Sequence, residues 1–309
     1  MEEYTGRQIA ILSDIHGLLE PLEAILEDIK ARGITEIYSL GDNIGEGPNP
    51  YEVVTLLEKF NVKSIAGNAE EYVRLGTKPF PYVNVNSCVW TNEQLREEGK
   101  RIVTQYPRYI ELEVGGKKVG LCHFANDIRF NFKAHSTWSY QAFFDRKTGK
   151  QLNNNSSDQF NYTNSLDEKN YITQKINDKG TEIPEMQGIV SAYNDPLFGG
   201  KPISQFDTIF QGHTHWKYYD KNPNTTIYTI RAAGMAYRDD PLNSASYIIL
   251  RERANNKGFD MQEILVPFDR EKMVASILES TNPDKKIQSF TSITQDEIMA
   301  YEDRKQKSR

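Results

Sequence analysis

The chain has 309 residues, 38% hydrophobic and 26% charged, with a formal net charge of −6. Such a chain can bury a substantial core in one large domain or two small ones, and its acidic balance speaks against broad binding to nucleic acid, which rests on excess Lys and Arg. No stretch approaches the ~20 apolar residues that span a bilayer, MEEYTGRQIA lacks the pattern of a secretory signal, and two cysteines, Cys88 and Cys122, make no disulfide framework, so a cytoplasmic protein without a membrane partner is expected.

In chain order, QIAILS (8–13) reads as a buried strand and LLEPLEAILEDIKAR (18–32) as a helix that ends before Gly33. ITEIYSL (34–40) is a second strand, PNPYEVVTLLEKF (48–60) a second helix and VKSIAG (62–67) a third strand. This βαβαβ order predicts a parallel sheet with crossover helices. A charged, helix-compatible run over 90–105 leads into YIELEVGGKKVGLCHF, a hairpin turning at Gly115 and Gly116. DTIFQG (207–212), TIYTIRAAG (226–234), SASYIILRE (244–252) and FDMQEILVPF (259–268) predict four more strands, hence a second sheet. EKMVASILE is helical, and QDEIMAYEDRKQKSR is polar and expected to fray. Between His123 and Asp207 the chain is Asn-, Ser- and Asp-rich with weak periodicity, as in a functional lid or mobile loop.

Four of the five histidines follow short apolar runs. IAILSDIHG delivers Asp14 and His16, IYSLGDN Asp42, VKSIAGN Asn68, VGLCHF His123, and TIFQGHTHW His213 and His215. Ligands of open α/β sheets bind beyond the carboxyl ends of the strands, so these donors are expected to converge on one rim. Histidine with carboxylate is the donor set of first-row transition metals, and seven donors suit two ions rather than one. Asp14 and His16 can grip one ion together, His213 and His215 can serve one ion each, and Asp42, after a central strand, is the natural bridging carboxylate. Gly17, Gly41, Gly45, Gly67 and Gly212 flank the donors, where turns need positive φ or close backbone approach. Cys122, beside His123, reads as a small buried strand residue rather than a thiolate ligand.

The motifs SDIHG (13–17), GDNIGEGPNP (41–50), GNAE (67–70), CH (122–123) and GHTH (212–215), continued by RDDP and ASY within 238–247 and by VPFD from 266, resemble those of calcineurin-like metallophosphoesterases, in particular the small bacterial and archaeal phosphodiesterase-type branch. The resemblance covers residues 8–122 and 207–278. It implies an α/β four-layer sandwich of two mixed sheets flanked by helices, a single domain over 1–309 carrying an insertion at 124–206 and a helical tail at 269–309. It implies that Asp14, His16 and His215 hold a first metal, that Asn68, His123 and His213 hold a second, and that Asp42 bridges both and positions the attacking hydroxide. Asn68 and Arg238 would also bind substrate. Manganese, iron and zinc all suit such sites, and a metal pair activates water for in-line attack on a phosphoryl group.

Many relatives carry a histidine after the Gly-Asn pair, where it assists the leaving group; here the residue is Ala69, followed by Glu70. Alanine donates no proton, and general acid catalysis is typically worth ~10²–10⁴-fold. The loss matters little when the leaving group is a nucleotide phosphate or phenolate. A phosphodiesterase or pyrophosphohydrolase acting on a small phosphoester, such as a nucleotide or dinucleoside polyphosphate, is therefore expected. A replacement acid from a loop, His135 or Glu70, stays open, as does a homo-oligomer. FNFKAHSTWSYQAFF (130–144) sets six aromatics around Lys133 and His135 and reads as a hydrophobic lid or dimer contact before a base-stacking platform. The alternatives are a phosphomonoesterase or protein-phosphatase-like enzyme, a metal-free interaction scaffold, and a nuclease, which the acidic balance disfavours.

Overall fold

The computed structural model describes residues 3–75, 85–123, 139–145, 171–177, 206–213, 215, 217–221, 225–235, 241–283, 287–288 and 291–307. The chain divides into two compact units, Met1–Ala125 with Phe206–Arg309, and Asn126–Gln205. In the second, the strands β6 (Ser139–Asp145) and β7 (Tyr171–Asn177) pair antiparallel.

The first unit is built on two five-stranded mixed sheets with helices packed on them. Strand β1 (Tyr4–Leu12) pairs parallel with β2 (Glu36–Ser39), which pairs parallel with the two-residue β3 (Lys63–Ser64). Helices α1 (Leu19–Ala31) and α2 (Pro50–Lys59) are the crossovers. On its other edge β1 pairs antiparallel with β11 (Ser244–Arg253), which pairs with β12 (Phe259–Pro267). The central position of β1 explains its composition, since its last four residues, Ile9 to Leu12, are fully buried.

Helix α1 forms because Leu22, Ile25, Leu26 and Ile29 recur at helical spacing and all turn into the core. It packs on β11, β12 and helix α6 (Arg270–Glu279), whose N-cap Asp269 accepts a 3.0 Å hydrogen bond from the Lys272 amide. Helix α2 starts on Pro50 and buries Val53, Val54 and Leu57. Residues 68–103 supply three short helices, α3 (Asn68–Leu75), α4 (Val85–Gln94) and α5 (Arg96–Val103). A separate apolar cluster of Ile44, Val54, Ala66, Ala69, Leu95, Ile102, Val103 and Tyr106 joins α2, α3 and α5 to the loop after β2.

The second sheet has the order β4, β5, β8, β10, β9. Strands β4 (Tyr109–Val114) and β5 (Lys117–Cys122) form the expected hairpin, with Gly115 and Gly116 at φ +56° and +72°. Strand β5 pairs parallel with β8 (Thr208–Gln211), and β8 parallel with β10 (Thr226–Thr229). The edge strand β9 (Tyr218–Lys221) was not expected from the sequence. The sheets meet through the rings of Phe210 and Phe259, 6.1 Å apart, and through Arg231, which reaches Glu263 on β12 at 2.5 Å. Among the described residues, no helix is long and apolar enough to cross a membrane.

The tail expected to fray is helical over Gln295–Lys307, here α7. Thr294 and Glu297 cap it reciprocally: the Thr294 amide donates to Glu297 at 2.8 Å and the Glu297 amide to Thr294 Oγ1 at 3.3 Å. Arg270 on α6 clamps Glu297 with two hydrogen bonds of 2.6 and 3.1 Å.

Ile25 has no exposed surface in this core. Ile25→Ala is expected to lower unfolding free energy by about 2–5 kcal/mol and Ile25→Val by about 1 kcal/mol, read from denaturant midpoints. An unchanged midpoint for the alanine variant would contradict the packing described.

Candidate metal centre

Five strand ends supply the donors. Asp14 follows β1, Asp42 follows β2, Asn68 begins α3 just after β3, His123 follows β5 and His213 follows β8. The first three come from one sheet and the last two from the other, so the site lies on the rim where the sheets meet. Backbone hydrogen bonds tie the loops together. The amides of Asp14, His16 and Gly17 donate to the carbonyls of Gly41, Asp42 and Asn43 at 3.0, 2.9 and 2.8 Å, and the Gly212 amide donates to the His123 carbonyl at 2.9 Å.

The seven donors converge. Asp14, His16 and His215 can present ligand atoms within 4.8 Å of one another, and so can Asp42, His123 and His213. In the first group, His16 Nε2 lies 2.8 Å from His215 Nε2, and His215 Nε2 lies 3.6 Å from Asp14 Oδ1. In the second, His123 Nε2 lies 3.3 Å from Asp42 Oδ2 and 3.2 Å from His213 Nδ1. Asn68 Oδ1 joins it at 3.1 Å from His123 Nε2 and 3.0 Å from His213 Nδ1. Asp42 Oδ2 is also 3.9 Å from His16 Nε2, so this carboxylate faces both groups. Arg238, His135 and most of residues 124–206, expected as an insertion, lie outside the described residues.

Backbone geometry marks the same residues. Asp14, His16, Asp42, His213 and His215 all have positive φ, from +50° to +72°. Non-glycine residues rarely adopt this region, and each costs about 1–3 kcal/mol unless its surroundings enforce it. The flanking glycines divide between the two roles expected of them. Gly17, Gly41 and Gly45 have positive φ, whereas Gly67 and Gly212 allow close approach. A Cβ on Gly67 would overlap the Asp42 amide and carboxylate, and one on Gly212 would overlap Ser13 Oγ and the Asp14 carboxylate.

Charge at the site is concentrated and dry. Asp14 and Asp42 are 0% and 2% exposed, His16 and His123 3% and 1%. Burial opposes the charged form of Asp42, but His123 and His16 outweigh it and hold the carboxyl below the usual range. Burial likewise opposes protonated His16, yet Glu46, Asp42 and Asp14 raise it to about 10. His123 is raised against burial to about 9 by Asp42 and Asp14. His215 is lowered, by burial and by its neighbour His16. His123 Nδ1 lies 2.8 Å from the Leu40 carbonyl, which can only accept, so Nδ1 bears the proton and Nε2 is the atom left to ligate. Buried carboxylates that need positive charge, among imidazoles that turn a ring nitrogen inward, Nε2 of His16, His123 and His215 and Nδ1 of His213, fit divalent transition metals.

Two carboxylates escaped the ligand assignment. Glu46 stands beside His16 on the side away from the other donors. Glu70 is fully buried and accepts hydrogen bonds from the amides of Gly67, Asp42 and Asn43 at 2.8, 3.0 and 2.9 Å. Burial and the charge of Asp42 push its carboxyl up to about 7. Glu70 therefore braces the two ligand loops. Ala69, 7% exposed, contributes its amide to Asp42 Oδ1 at 2.8 Å. The signal for Glu70 was present, a carboxylate two residues after Asn68, but its target is backbone and carries no side-chain signature.

The described residues form an α/β fold of two mixed sheets with a dry His/Asp cluster at the strand ends. Residues 8–147 match the model of the calcineurin-like phosphoesterase superfamily domain. The uncharacterized protein MJ0912 of Methanocaldococcus jannaschii is 28% identical over 283 residues, covering 89% of this chain and 94% of its own length. Among solved structures, a metallophosphoesterase from Sphaerobacter thermophilus has a TM-score of 0.55 at 21% identity, over 93% of this chain and 99% of that one. The hypothetical protein PH1004 of Pyrococcus horikoshii OT3 has the same TM-score at 14% identity, over 91% and 96%. These likenesses establish the fold.

Glu70→Gln presents an NH₂ group to amides that now donate to a carboxylate. Each buried donor left unpaired costs about 1–3 kcal/mol, so the variant is expected to unfold at clearly lower denaturant concentration than the parent. An equal midpoint would show that Glu70 does not brace these loops.

Proposed function

We propose that this protein is a dinuclear metal-dependent phosphoesterase that hydrolyses phosphodiester or phosphoanhydride bonds, with nucleotides or dinucleoside polyphosphates as its substrates. The observation that carries the reading is a pair of buried donor groups sharing Asp42, next to a position 69 that offers no proton. Asp14, His16 and His215 would hold the first ion, Asn68, His123 and His213 the second, and Asp42 would serve both. When bound, manganese, iron or zinc supplies Lewis acidity that lowers the pKa of water and neutralises phosphoryl oxygens.

The chain's own residues do the rest. Asp42 is fixed by the Ala69 amide at 2.8 Å, and Asp14 accepts the His213 amide on both oxygens at 3.0 Å, so neither carboxylate can swing away from the site. The flanking loops keep Asp14 and Asp42 dry, which strengthens every interaction with an anionic substrate. Asn68 and Arg238 are assigned to the substrate's phosphate, Arg238 through the guanidinium's fork of donors. Ala69 packs in an apolar cluster and Glu70 is held by backbone amides. Neither protonates a leaving group, which favours substrates whose leaving group departs as a stable anion. An alkyl phosphomonoester lacks that advantage, and a general acid is worth ~10²–10⁴-fold to it. A metal-free scaffold would have no use for five strained donor positions, and this favours the enzyme.

The test is relative kcat/KM, with Mn²⁺ supplied, on an aryl phosphodiester, a dinucleoside polyphosphate and a sugar monophosphate. The first two are expected to exceed the third by at least ~10²-fold, and chelation is expected to abolish turnover until metal is restored. A preference for the sugar monophosphate would overturn the substrate assignment.

A further inference from the structure

Glu46 lies in the loop between β2 and α2, four residues after Asp42. Its Oε2 is 2.8 Å from His16 Nδ1, while the opposite nitrogen, Nε2, faces His215, Asp14 and Asp42 at 2.8, 3.9 and 3.9 Å. The imidazole is thus held between a carboxylate on one edge and the donor cluster on the other. Burial opposes ionised Glu46, yet the neighbouring His16 keeps its carboxyl below the usual range.

The loop is anchored on both sides of this carboxylate. Thr91 Oγ1, on α4, donates to the Gly45 carbonyl at 2.9 Å. Asn282, beyond α6, donates from Nδ2 to the Glu46 carbonyl at 3.0 Å and accepts from Ser87 Oγ at 3.1 Å. Asn49 donates from its amide to the Gly17 carbonyl and from Nδ2 to Ser276 Oγ, each at 3.0 Å. A Cβ on Gly47 would overlap the His16 carbonyl, so the loop backbone rests directly on the ligand it serves. Asn282 and Ser87 are both buried, which makes this bracing part of the interior.

From this geometry we infer that Glu46 is a positioning residue: through Nδ1 it fixes the ring of His16 so that Nε2 remains the donor to the first metal. The inference rests on the dinuclear reading above. His123 has a counterpart device in the Leu40 carbonyl at Nδ1. A carboxylate does the same work with a full negative charge, which raises the basicity of Nε2. Removal of such outer partners typically costs ~10–100-fold in metal affinity. The inference also gives the C-terminal segment a purpose, since Asn282 and Ser276 hold the loop that holds the ligand.

The experiment is calorimetric titration of the intact, metal-stripped chain with Mn²⁺, checked by elemental analysis. The parent is expected to take up two ions. Glu46→Ala is expected to weaken one of the two by ~10–100-fold and spare the other, with a parent-like circular dichroism spectrum. Glu46→Gln, which keeps the side chain's length and an oxygen beside Nδ1 without the charge, is expected to recover part of that loss. Asn282→Ala is expected to weaken the same site by less. If the parent binds two ions and Glu46→Ala binds both as the parent does, or loses both equally, the positioning role is overturned. A parent that binds no ion overturns the dinuclear reading itself, and with it this role.

Discussion

Asp14, Asp42 and Glu70 are three carboxylates within one dry region, each no more than 2% exposed, and the rest of the site is arranged around their charge. Water cannot solvate them there, so every oxygen must find a donor or a positive neighbour. Backbone amides answer part of the demand: His213 for Asp14, Ala69 for Asp42, and Gly67, Asp42 and Asn43 for Glu70. The imidazoles of His16 and His123 answer another part: Glu46, Asp42 and Asp14 hold His16, and Asp42 and Asp14 hold His123, above the ordinary pKa. Metal ions meet the same demand with greater charge, which is why the donor set and the burial point to one chemistry.

This arrangement works against the chain's local preferences. Five donors occupy the left-handed backbone region although none is glycine. Their strain must be offset by structure elsewhere, and the large apolar cluster under β1, α1, β11 and α6 is the source of that stability. The loops are rigid for a second reason, because residues 14–17 and 41–43 share three backbone hydrogen bonds. Rigid donors need no reorganisation when a ligand arrives, which is the property electrostatic catalysis requires.

Much of this was legible from the sequence, and the exceptions have physical causes. Helix α1 and strand β11 carry long apolar patterns and were found near their true limits. The strand expected over 62–67 shrinks to Lys63–Ser64, because the chain leaves the sheet after Ile65 and the Ala66 amide turns to the Pro107 carbonyl. The run expected as helical over 90–105 forms two helices that break at Leu95. Strand β9 is short, polar and at an edge, so periodicity had nothing to detect. The helix over Gln295–Lys307 was missed although Thr294 and Glu297 spell a capping box, because its polar surface hides the period. At the site, histidine and aspartate after apolar runs announce themselves by residue type. Glu46 and Glu70 do not, since they act on a ring's far nitrogen and on backbone amides, targets that only the folded chain brings near.

The central claim is that Asp42 sits between two metal ions, and anomalous diffraction at the Mn absorption edge from Mn²⁺-loaded crystals tests it most directly. The account predicts two peaks per chain, one among Asp14, His16, His215 and Asp42, the other among Asp42, Asn68, His123 and His213. A single peak, or two peaks that leave Asp42 out of contact with either ion, would contradict it.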